Sequence, residues 1–466
     1  MLFVEISCEE IPARFQSDAI SALQSRLMDG LKETGFSPEA GRVAISPRHM
    51  AVEVAGLEAR LADQTIERRG PRSDASDKAV DGFCQSAGIA RDDLEIRDTE
   101  KGSFFFARIM QTGAILNDIL VPLINNVVCQ FPWPKSQRWS WSRVTWVRPL
   151  TSVSLLVDGV PVTGNIDLGG GILMALTDKV YGHPFYPHDP IMLTNFDTYV
   201  EEMRAAHVIM DSDERRNLIV TQSETLASAE ASGLVPDDSL LREVTGLVEW
   251  PHAILGKIEP EFMELPAEVL VTSMRVHQKF FATRFQDAHE KSGQLSPYFI
   301  TIANRDCCAE QAALIAAGNE RVLRARLSDA AFFWQQDRAM PLDSLVPKLS
   351  SVAFFDGLGS VADKTNRIAD LAGQLAFYIP ECREDDAVRA AQLSKADLVT
   401  GMVGEFPELQ GIMGGYYAVS CNETEAVSQA ISDHYCPQGP SDSLPRSAEG
   451  YAVSLADKLD TLVGFF

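Results

Sequence analysis

The first sixty residues carry a pattern of apolar positions that predicts a small β-α-β-β unit. An apolar run over residues 2–6 is typical of a short strand. Between residues 20 and 31 an apolar side chain recurs every three or four positions, which is the spacing of one helix face. Two more apolar runs, at residues 43–45 and 50–54, flank a Ser-Pro-Arg turn and predict two further strands.

The rest of the chain predicts an α+β protein whose last third is mainly helical. Residues 62–77 are polar and contain Gly-Pro, which predicts a connection. The elements expected after it are a helix at 79–87, a strand at 104–110, a helix at 115–128, strands within 152–157, 191–196 and 252–258, and a helix at 215–231. Beyond residue 310 the spacing is mostly helical. We therefore expect three regions, residues 1–60, 61–345 and 346–466, in line with a length of 466 residues and about 150 residues per domain.

Composition narrows the class of protein. Hydrophobic residues make up 45% of the chain and charged residues 23%, which is ordinary globular usage. With 41 Lys and Arg against 65 Asp and Glu, the net charge is −24, and this excludes binding of nucleic acid through bulk positive charge. A local basic patch stays possible. No apolar run has the ~18 residues of a membrane span. The eight cysteines lack zinc spacing, and the first residues lack a secretory signal, so we expect a cytoplasmic protein with reduced thiols.

The most unusual segment is residues 131–149, which we call the basic loop. It holds four of the six tryptophans and four basic residues: Trp133, Trp139, Trp141, Trp146, Lys135, Arg138, Arg143 and Arg148. No acidic residue lies between Asp118 and Asp158. Basic side chains pair with phosphates and aromatic faces stack on unpaired bases, so this composition is typical of an RNA contact. The alternative is structural: the tryptophans pack a core and the arginines stack over them as cation–π partners.

A second basic feature lies on a predicted helix at residues 318–337. Leu323, Leu327, Ala331 and Trp334 form its apolar stripe, and the arginines that lie off the stripe are Arg321, Arg324 and Arg326. Arginines on an exposed helix face suit a phosphate backbone. The alternative is that they are solvated and paired with the neighbouring Glu320 and Asp329.

Other chemical signals are weak. The chain has no Gly-x-Ser-x-Gly, His-Glu-x-x-His or dinucleotide-binding glycine pattern, and Gly-Gly-Gly at 169–171 is more typical of a turn than of a ligand loop. In the helical last third, Asp397 and Asp457 resemble two acidic corners of a histidine–aspartate metal-hydrolase bundle. Ala396 stands where that motif has histidine, and His434 is the one histidine in the last third, so the metal ligands are depleted.

Several blocks in the same order resemble the β subunits of bacterial heterotetrameric glycine–tRNA ligases. They include VEISCEEIPARF, SPRHMAVEV, WPKSQRW, LLREVTGLVEWPHAILGKI, PAEVLVTSMRVHQKFF, GNERVLRARLSDAAFFWQQD, KADLVTGMVGEFPELQGIMGGYYA and ADKLDTLVG. One loop departs from the expected pattern, because Pro184 stands where we expect arginine. As the chain ends at Phe466 within the helical region, we also expect it to be C-terminally truncated, without an anticodon-binding domain.

The resemblance implies a division of labour. It implies an α2β2 enzyme that uses ATP to join glycine to tRNA(Gly), with the active site on the α subunit and tRNA binding on this chain. The 61–345 region would then be the tRNA-binding body, and 346–466 a degenerate histidine–aspartate-like domain. We therefore expect no catalytic residue, metal or cofactor on this chain. Two alternatives stay open: a histidine–aspartate metal-dependent phosphohydrolase, and an assembly scaffold that does not touch RNA.

Overall fold

The computed structural model describes residues 1–100, 102–286, 291–440 and 442–466. The chain divides into two compact units. The N-terminal unit comprises Met1–Ile219, Leu241–His252 and Ala303–Asp306, and the C-terminal unit comprises Val220–Leu240, Ala253–Ile302 and Cys307–Phe466. The predicted boundaries near residues 60 and 345 stay predictions.

The N-terminal unit contains strands and helices in similar measure. Its strands are β1 Leu2–Cys8, β2 Glu39–Ile45, β3 His49–Ala55, β4 Gln64–Arg72, β5 Leu94–Thr99, β6 Gly102–Gln111, β7 Leu150–Val157, β8 Val160–Pro161, β9 Asn165–Asp167, β10 Leu173–Ala175, β11 Lys179–Val180 and β12 Ile191–Met192. Its helices are α1 Ala13–Glu33, α2 Asp77–Ala87, α3 Leu116–Cys129 and α4 Phe196–Ala205. Two helices, α5 Ser212–Ala229 and α6 Asp238–Thr245, contribute residues to both units.

The C-terminal unit is mainly helical. Its helices are α7 Ala267–Thr272, α8 Ala309–Arg338, α9 Val361–Ala376, α10 Glu384–Leu393, α11 Gly401–Glu405, α12 Ile412–Ser420, α13 Glu425–Asp433 and α14 Ala448–Phe465. Its strands are β13 Ser232–Leu234, β14 His252–Lys257, β15 Phe281–Phe285, β16 Leu295–Ala303, β17 Ala353–Phe355 and β18 Gly359–Ser360. This arrangement confirms the predicted α+β class with a helical C-terminal region.

The N-terminal unit is organised around β1. The five-stranded sheet has the order β2-β3-β1-β7-β8, and β1 pairs antiparallel with both β3 and β7. Helices α1 and α3 cover one face of this sheet and α4 covers the other, so β1 is buried along its whole length. The predicted strands and helix of the first sixty residues are confirmed. The sheet that they form also includes β7, which lies nearly a hundred residues further along the chain.

One expectation for this unit is wrong. The polar segment at residues 62–77 is not a plain connection, because it contains β4, an edge strand of a second sheet with the order β4-β6-β5. Its polar side chains are stabilised by ion pairs across the strands. Glu67 of this strand lies 2.8 Å from Arg97 and 3.3 Å from Arg108. The strand carries little apolar periodicity because its side chains are mostly exposed.

The C-terminal unit combines a sheet of the order β13-β15-β16-β14 with a helical bundle formed by α9, α10, α12, α13 and α14. The predicted stripe on α8 is confirmed, since Leu323 and Leu327 are buried and Ala331 and Trp334 pack against the same core. Within the described residues, no helix is both long enough and apolar enough to cross a membrane.

The sheet of the C-terminal unit offers a test of its packing. A Cβ atom added at Gly256 in β14 would lie 2.2 Å from the buried ring of Phe299. We expect Gly256→Ala to destabilise the unit by about 1–3 kcal/mol, because the ring must move within a packed core. Calorimetry should show a melting temperature lower by roughly 4 °C.

Gly233→Ala in β13 is the matched control. The nearest atom to its added Cβ lies 3.7 Å away, so the melting temperature should stay the same or rise slightly. Equal losses in the two variants would contradict the packing argument.

Candidate nucleic-acid interface

The basic loop connects α3 to β7 and is irregular. Within it, a β-bridge joins Gln137 and Trp146, which exchange backbone hydrogen bonds of 2.8 and 3.1 Å. The bridge brings these two residues together, so the segment between them forms a closed loop. Because α3 and β7 both belong to the core of the N-terminal unit, the loop starts and ends on fixed supports.

All four predicted basic side chains of the loop are exposed. They are Lys135, Arg138, Arg143 and Arg148. Within the part of the chain that the structure describes, none of the four forms an ion pair with an acidic side chain. Arg148 donates one hydrogen bond, of 2.9 Å, to the backbone carbonyl of Val147. Their charges therefore face solvent rather than partners inside the protein.

The tryptophans of the loop divide into two groups. Trp146 is fully buried, with its ring centre 4.8 Å from that of Phe131 and 5.1 Å from that of Trp133. Trp139 is half-buried against the same core, whereas Trp141 is 83% exposed. Among the described residues, no basic side chain of the loop stacks on a tryptophan. The structural alternative is thus right for the buried tryptophans and wrong for cation–π stacking.

A glycine turn holds the exposed part of the loop in place. Residues 169–171 all adopt positive φ, which confirms the predicted turn. The carbonyl of Leu168, just before it, accepts hydrogen bonds from the backbone N–H groups of Arg143 and Val144, at 2.8 and 3.1 Å. A Cβ added at Gly170 would lie only 2.2 Å from the carbonyl oxygen of Trp141. Close backbone contact therefore fixes the positions of Trp141 and Arg143.

The arginines of α8 are in a different situation. Arg324 forms an ion pair with Glu259, and Arg326 forms one with Glu405 at 2.7 Å. Arg321 is exposed, and no acidic partner for it occurs among the described residues. These three residues lie in the C-terminal unit and the basic loop lies in the N-terminal unit.

Arg324 and Arg326 are paired with acids, as the structural alternative predicts, but their partners differ from the predicted ones. The sequence suggested Glu320 and Asp329, which are near in the chain. Glu320 instead accepts a hydrogen bond of 2.9 Å from the backbone N–H of Lys257. The acids that pair with the arginines come from segments far away in sequence, which a local pattern does not reveal.

Sequence reasoning missed a polar cavity of about 410 Å³ at the end of the central sheet, where β1 ends and β3 and β7 begin. Its walls include Ser7, Cys8, Glu9, Arg48, His49, Thr151, Ser152, Thr177, Lys179 and Tyr181. The signal that could have found it is the buried acid within the apolar run LFVEISC, because an acid inside a strand needs polar neighbours.

Beside this cavity a serine, a histidine and a glutamate meet, but not as a catalytic triad. The Oε1 atom of Glu5 lies 2.9 Å from Nδ1 of His49 and accepts a hydrogen bond of 2.6 Å from Ser7. Ser7 Oγ lies 3.0 Å from the same Nδ1 atom. A triad needs the serine and the acid on opposite ring nitrogens, so this geometry does not activate Ser7. The expectation that the chain carries no catalytic residue stays a prediction.

The two acidic corners of the helical region are engaged by other groups. Oδ2 of Asp397 accepts hydrogen bonds from the backbone N–H groups of Gly411 and Gly414, at 2.6 and 3.0 Å, and so caps the start of α12. Burial raises the pKa of Asp397 to about 6. Asp457 lies 2.7 Å from Lys364 and 2.8 Å from Lys395. Among the described residues, no three His, Cys, Asp or Glu side chains are placed to hold a metal ion.

Comparison with known proteins decides the family. The family model described as "Glycyl-tRNA synthetase beta subunit" matches residues 2–466. The chain belongs to this family. It is 42% identical over 487 residues to the glycine–tRNA ligase beta subunit of Rhodospirillum centenum, covering all of this chain and 67% of that protein. It is 43% identical over 469 residues to the corresponding protein of Phenylobacterium zucineum, covering all of this chain and 68% of the relative.

These relatives confirm the resemblance inferred from the sequence blocks. As a member of the glycyl-tRNA synthetase beta subunit family, the chain is a subunit of an aminoacyl-tRNA ligase and belongs to the machinery of translation. It spans about two thirds of the length of the relatives that it matches.

The glycine turn that supports the basic loop can be tested directly. We expect Gly170→Ala to lower the melting temperature, because the new methyl group collides with the Trp141 carbonyl and the backbone keeps a positive φ of 66°. Overpacking of this kind costs about 1–3 kcal/mol in addition to the strain of the backbone.

Gly171→Ala separates the two effects. Gly171 also has a positive φ, but its added Cβ would have no atom within 4 Å. It should therefore lose only the ~1–2 kcal/mol of left-handed strain. If both variants melt at the same temperature, the contact with Trp141 does not hold the loop.

Proposed function

We propose that this chain binds tRNA(Gly) through the basic loop and, as the β subunit of an α2β2 glycine–tRNA ligase, supports the ATP-dependent glycylation carried out with an α subunit. The observation that carries the tRNA contact is the set of four exposed cations, Lys135, Arg138, Arg143 and Arg148, without acidic partners among the described residues. The relatives are named as beta subunits of glycine–tRNA ligase, which supports the partnership with an α subunit.

The electrostatic background strengthens the argument. In a chain of net charge −24, most of the surface repels a polyanion, so a group of unpaired cations is the place where RNA can approach. Each cation that contacts a phosphate releases condensed counterions, which favours binding at low salt. The exposed ring of Trp141 is available to stack on an unpaired base, an interaction worth about 1–3 kcal/mol.

The arginines of α8 are weaker candidates. Arg321 is exposed and could contact phosphate directly. Arg324 and Arg326 would first have to leave Glu259 and Glu405, so a phosphate would replace an existing partner rather than add one. We retain all three as predicted tRNA contacts and expect Arg321 to contribute most.

The chemistry of activation is assigned to the partner. This sequence lacks a glycine-rich phosphate-binding motif, and in the proposed assembly ATP is used at the α subunit while this chain binds no cofactor itself. We place the enzyme in the cytoplasm, where its tRNA substrate is charged. The phosphohydrolase alternative is less favoured, because Asp397 and Asp457 are already engaged by backbone N–H groups and lysines.

The proposal predicts a change in salt dependence. We expect Arg138→Ala combined with Arg143→Ala to flatten the slope of log affinity against log salt by roughly 1.5, because two phosphate contacts are lost. Affinity for tRNA(Gly) should be measured at several salt concentrations, with the chain alone and with the α subunit, and the melting temperature recorded alongside.

A variant with the same change in net charge serves as the control. Arg97→Ala with Arg108→Ala removes two arginines that are already paired with Glu67 and Glu95. This control should leave the slope unchanged. An unchanged slope in a normally folded Arg138→Ala, Arg143→Ala protein would reject the contact and favour the assembly scaffold.

The assignment of catalysis to the partner makes a second prediction. The purified chain should show no glycine-dependent exchange of pyrophosphate into ATP, and exchange should appear when the α subunit is added. Exchange by the chain alone, at a rate proportional to its concentration and absent from a mock purification, would contradict the proposal.

A further inference from the structure

A buried ammonium group lies at the centre of the helical bundle. Lys395, just after α10, is only 3% exposed, and it lies between His434, at the end of α13, and Asp457 of α14. Its Nζ atom is 2.9 Å from Nε2 of His434 and 2.8 Å from Oδ2 of Asp457. One cation thus joins three helical segments that are distant in sequence.

The hydrogen bonds fix the protonation of the histidine. Nδ1 of His434 lies 2.6 Å from the carbonyl oxygen of Ile431, so Nδ1 carries a proton and donates it. The other nitrogen, Nε2, is then the acceptor for the ammonium of Lys395. Burial, reinforced by the charge of Lys395, lowers the pKa of His434 to about 3, which keeps the ring neutral.

The ammonium is held as proteins hold a metal cation. A neutral imidazole nitrogen and a carboxylate oxygen are the donor pair that divalent transition metals take. The ring of Tyr435 adds a third contact, 3.8 Å from Nζ to the ring centre. Distances of 2.8–2.9 Å suit N–H hydrogen bonds and exceed the ~2.0–2.2 Å of metal–ligand bonds.

The second carboxylate oxygen of Asp457 also faces a cation. Lys364, likewise buried, lies 2.7 Å from Oδ1 of Asp457, so both carboxylate oxygens face an ammonium. The carboxylate of Asp397 is directed to the backbone of α12 rather than to this position. The residues present therefore do not fit a divalent ion alongside Lys395.

We propose that Lys395 is a built-in cation, whose ammonium fills the position that His434 and Asp457 form and supplies the positive charge that the bundle needs there. This inference is independent of the proposed tRNA binding. It explains why the metal ligands of the histidine–aspartate motif are depleted in this sequence, because a lysine takes the place of the metal ion.

Without Lys395, the position between His434 and Asp457 should need another cation, either a proton on His434 or an added metal ion. In Lys395→Ala, His434 would face the carboxylate of Asp457 without the repulsion of the neighbouring ammonium, so its pKa should rise. Compared with wild type, the variant would then bind a proton at His434 at higher pH, so part of its lost stability should return as the pH falls toward that pKa. Two other charged groups act on His434. They are Asp457 and Lys458, and both are unchanged in the variant. An added divalent ion could take the same place, since the alanine leaves room for it.

The experiment compares melting temperatures of the full chain at pH 7.5 and 5.5, with and without about 1 mM Mn²⁺. At pH 7.5 we expect Lys395→Ala to melt at least about 5 °C below wild type. The gap should shrink by half or more at pH 5.5 or with Mn²⁺, and wild type should not respond to Mn²⁺. Because Asp397 also titrates near pH 6, each comparison is made against wild type at the same pH.

Lys458→Ala is the matched control. This neighbouring lysine of α14 donates to the carbonyl of Cys436, at 3.0 Å, and to Ser454, at 2.9 Å. Because Lys458 contacts neutral oxygens and acts on His434 only as a weaker, more distant charge, its removal should depend on pH much less than removal of Lys395 and should create no response to Mn²⁺. If Lys395→Ala loses no stability, or loses stability that neither protons nor Mn²⁺ restore, the inference is overturned.

Wild-type protein gives a readout that does not require the variant to fold. Nitrogen NMR of labelled histidine should show His434 as the neutral ring with its proton on Nδ1 from pH 5.5 to 8. Titration of His434 in this range, or one firmly bound divalent ion per chain whose removal lowers the melting temperature, would overturn the proposal.

Discussion

The excess of carboxylates over cations is the constraint on which the charged part of this structure depends. With 65 acidic and 41 basic residues, an arginine on the surface usually finds an acid. Arg389 illustrates this, because its guanidinium contacts Asp343 and Glu423 at 2.8 and 2.5 Å. The cations of the basic loop have no acidic partners among the residues that the structure describes, because this part of the sequence lacks acids. The loop is held by tryptophan packing rather than by ion pairs. Its cations are therefore left for an external anion.

The same constraint acts on the buried acids, since an unpaired carboxylate in a core is strongly unfavourable. Glu5 is accommodated by Ser7 and His49, Asp397 by the N–H groups at the start of α12, and Asp457 by two lysines. In each case the protein's own donors or cations compensate the charge, although one oxygen of each carboxylate accepts no hydrogen bond from the described residues. The buried acids of this chain thus stabilise its architecture, which agrees with an enzyme subunit whose reaction takes place on a partner.

The sequence was informative wherever local periodicity decides structure. Strand β1 was predicted because it is a short apolar run, and helix α1 and the stripe of α8 were predicted because each buries one regular face. Strand β4 was missed because its stability comes from pairing with β6 and from ion pairs, neither of which leaves an apolar period. In the basic loop the composition singled out four basic side chains that the structure leaves exposed, and their contact with tRNA stays a prediction. Which tryptophan is buried could not be predicted, because an irregular segment has no regular alternation of inward and outward positions. The partners of Arg324 and the role of Lys395 depend on contacts between distant segments.

Rigidity gives the basic loop a further advantage over the arginines of α8 as an RNA contact. The bridge between Gln137 and Trp146 and the glycine turn beneath Trp141 hold the loop before any ligand arrives. Binding then requires little ordering of the backbone, and more of the attraction to phosphate appears as affinity. Arg324 and Arg326, in contrast, must give up existing ion pairs. Equal numbers of arginines on the two surfaces should therefore contribute unequally, with the larger share coming from the loop that the fold itself has already ordered.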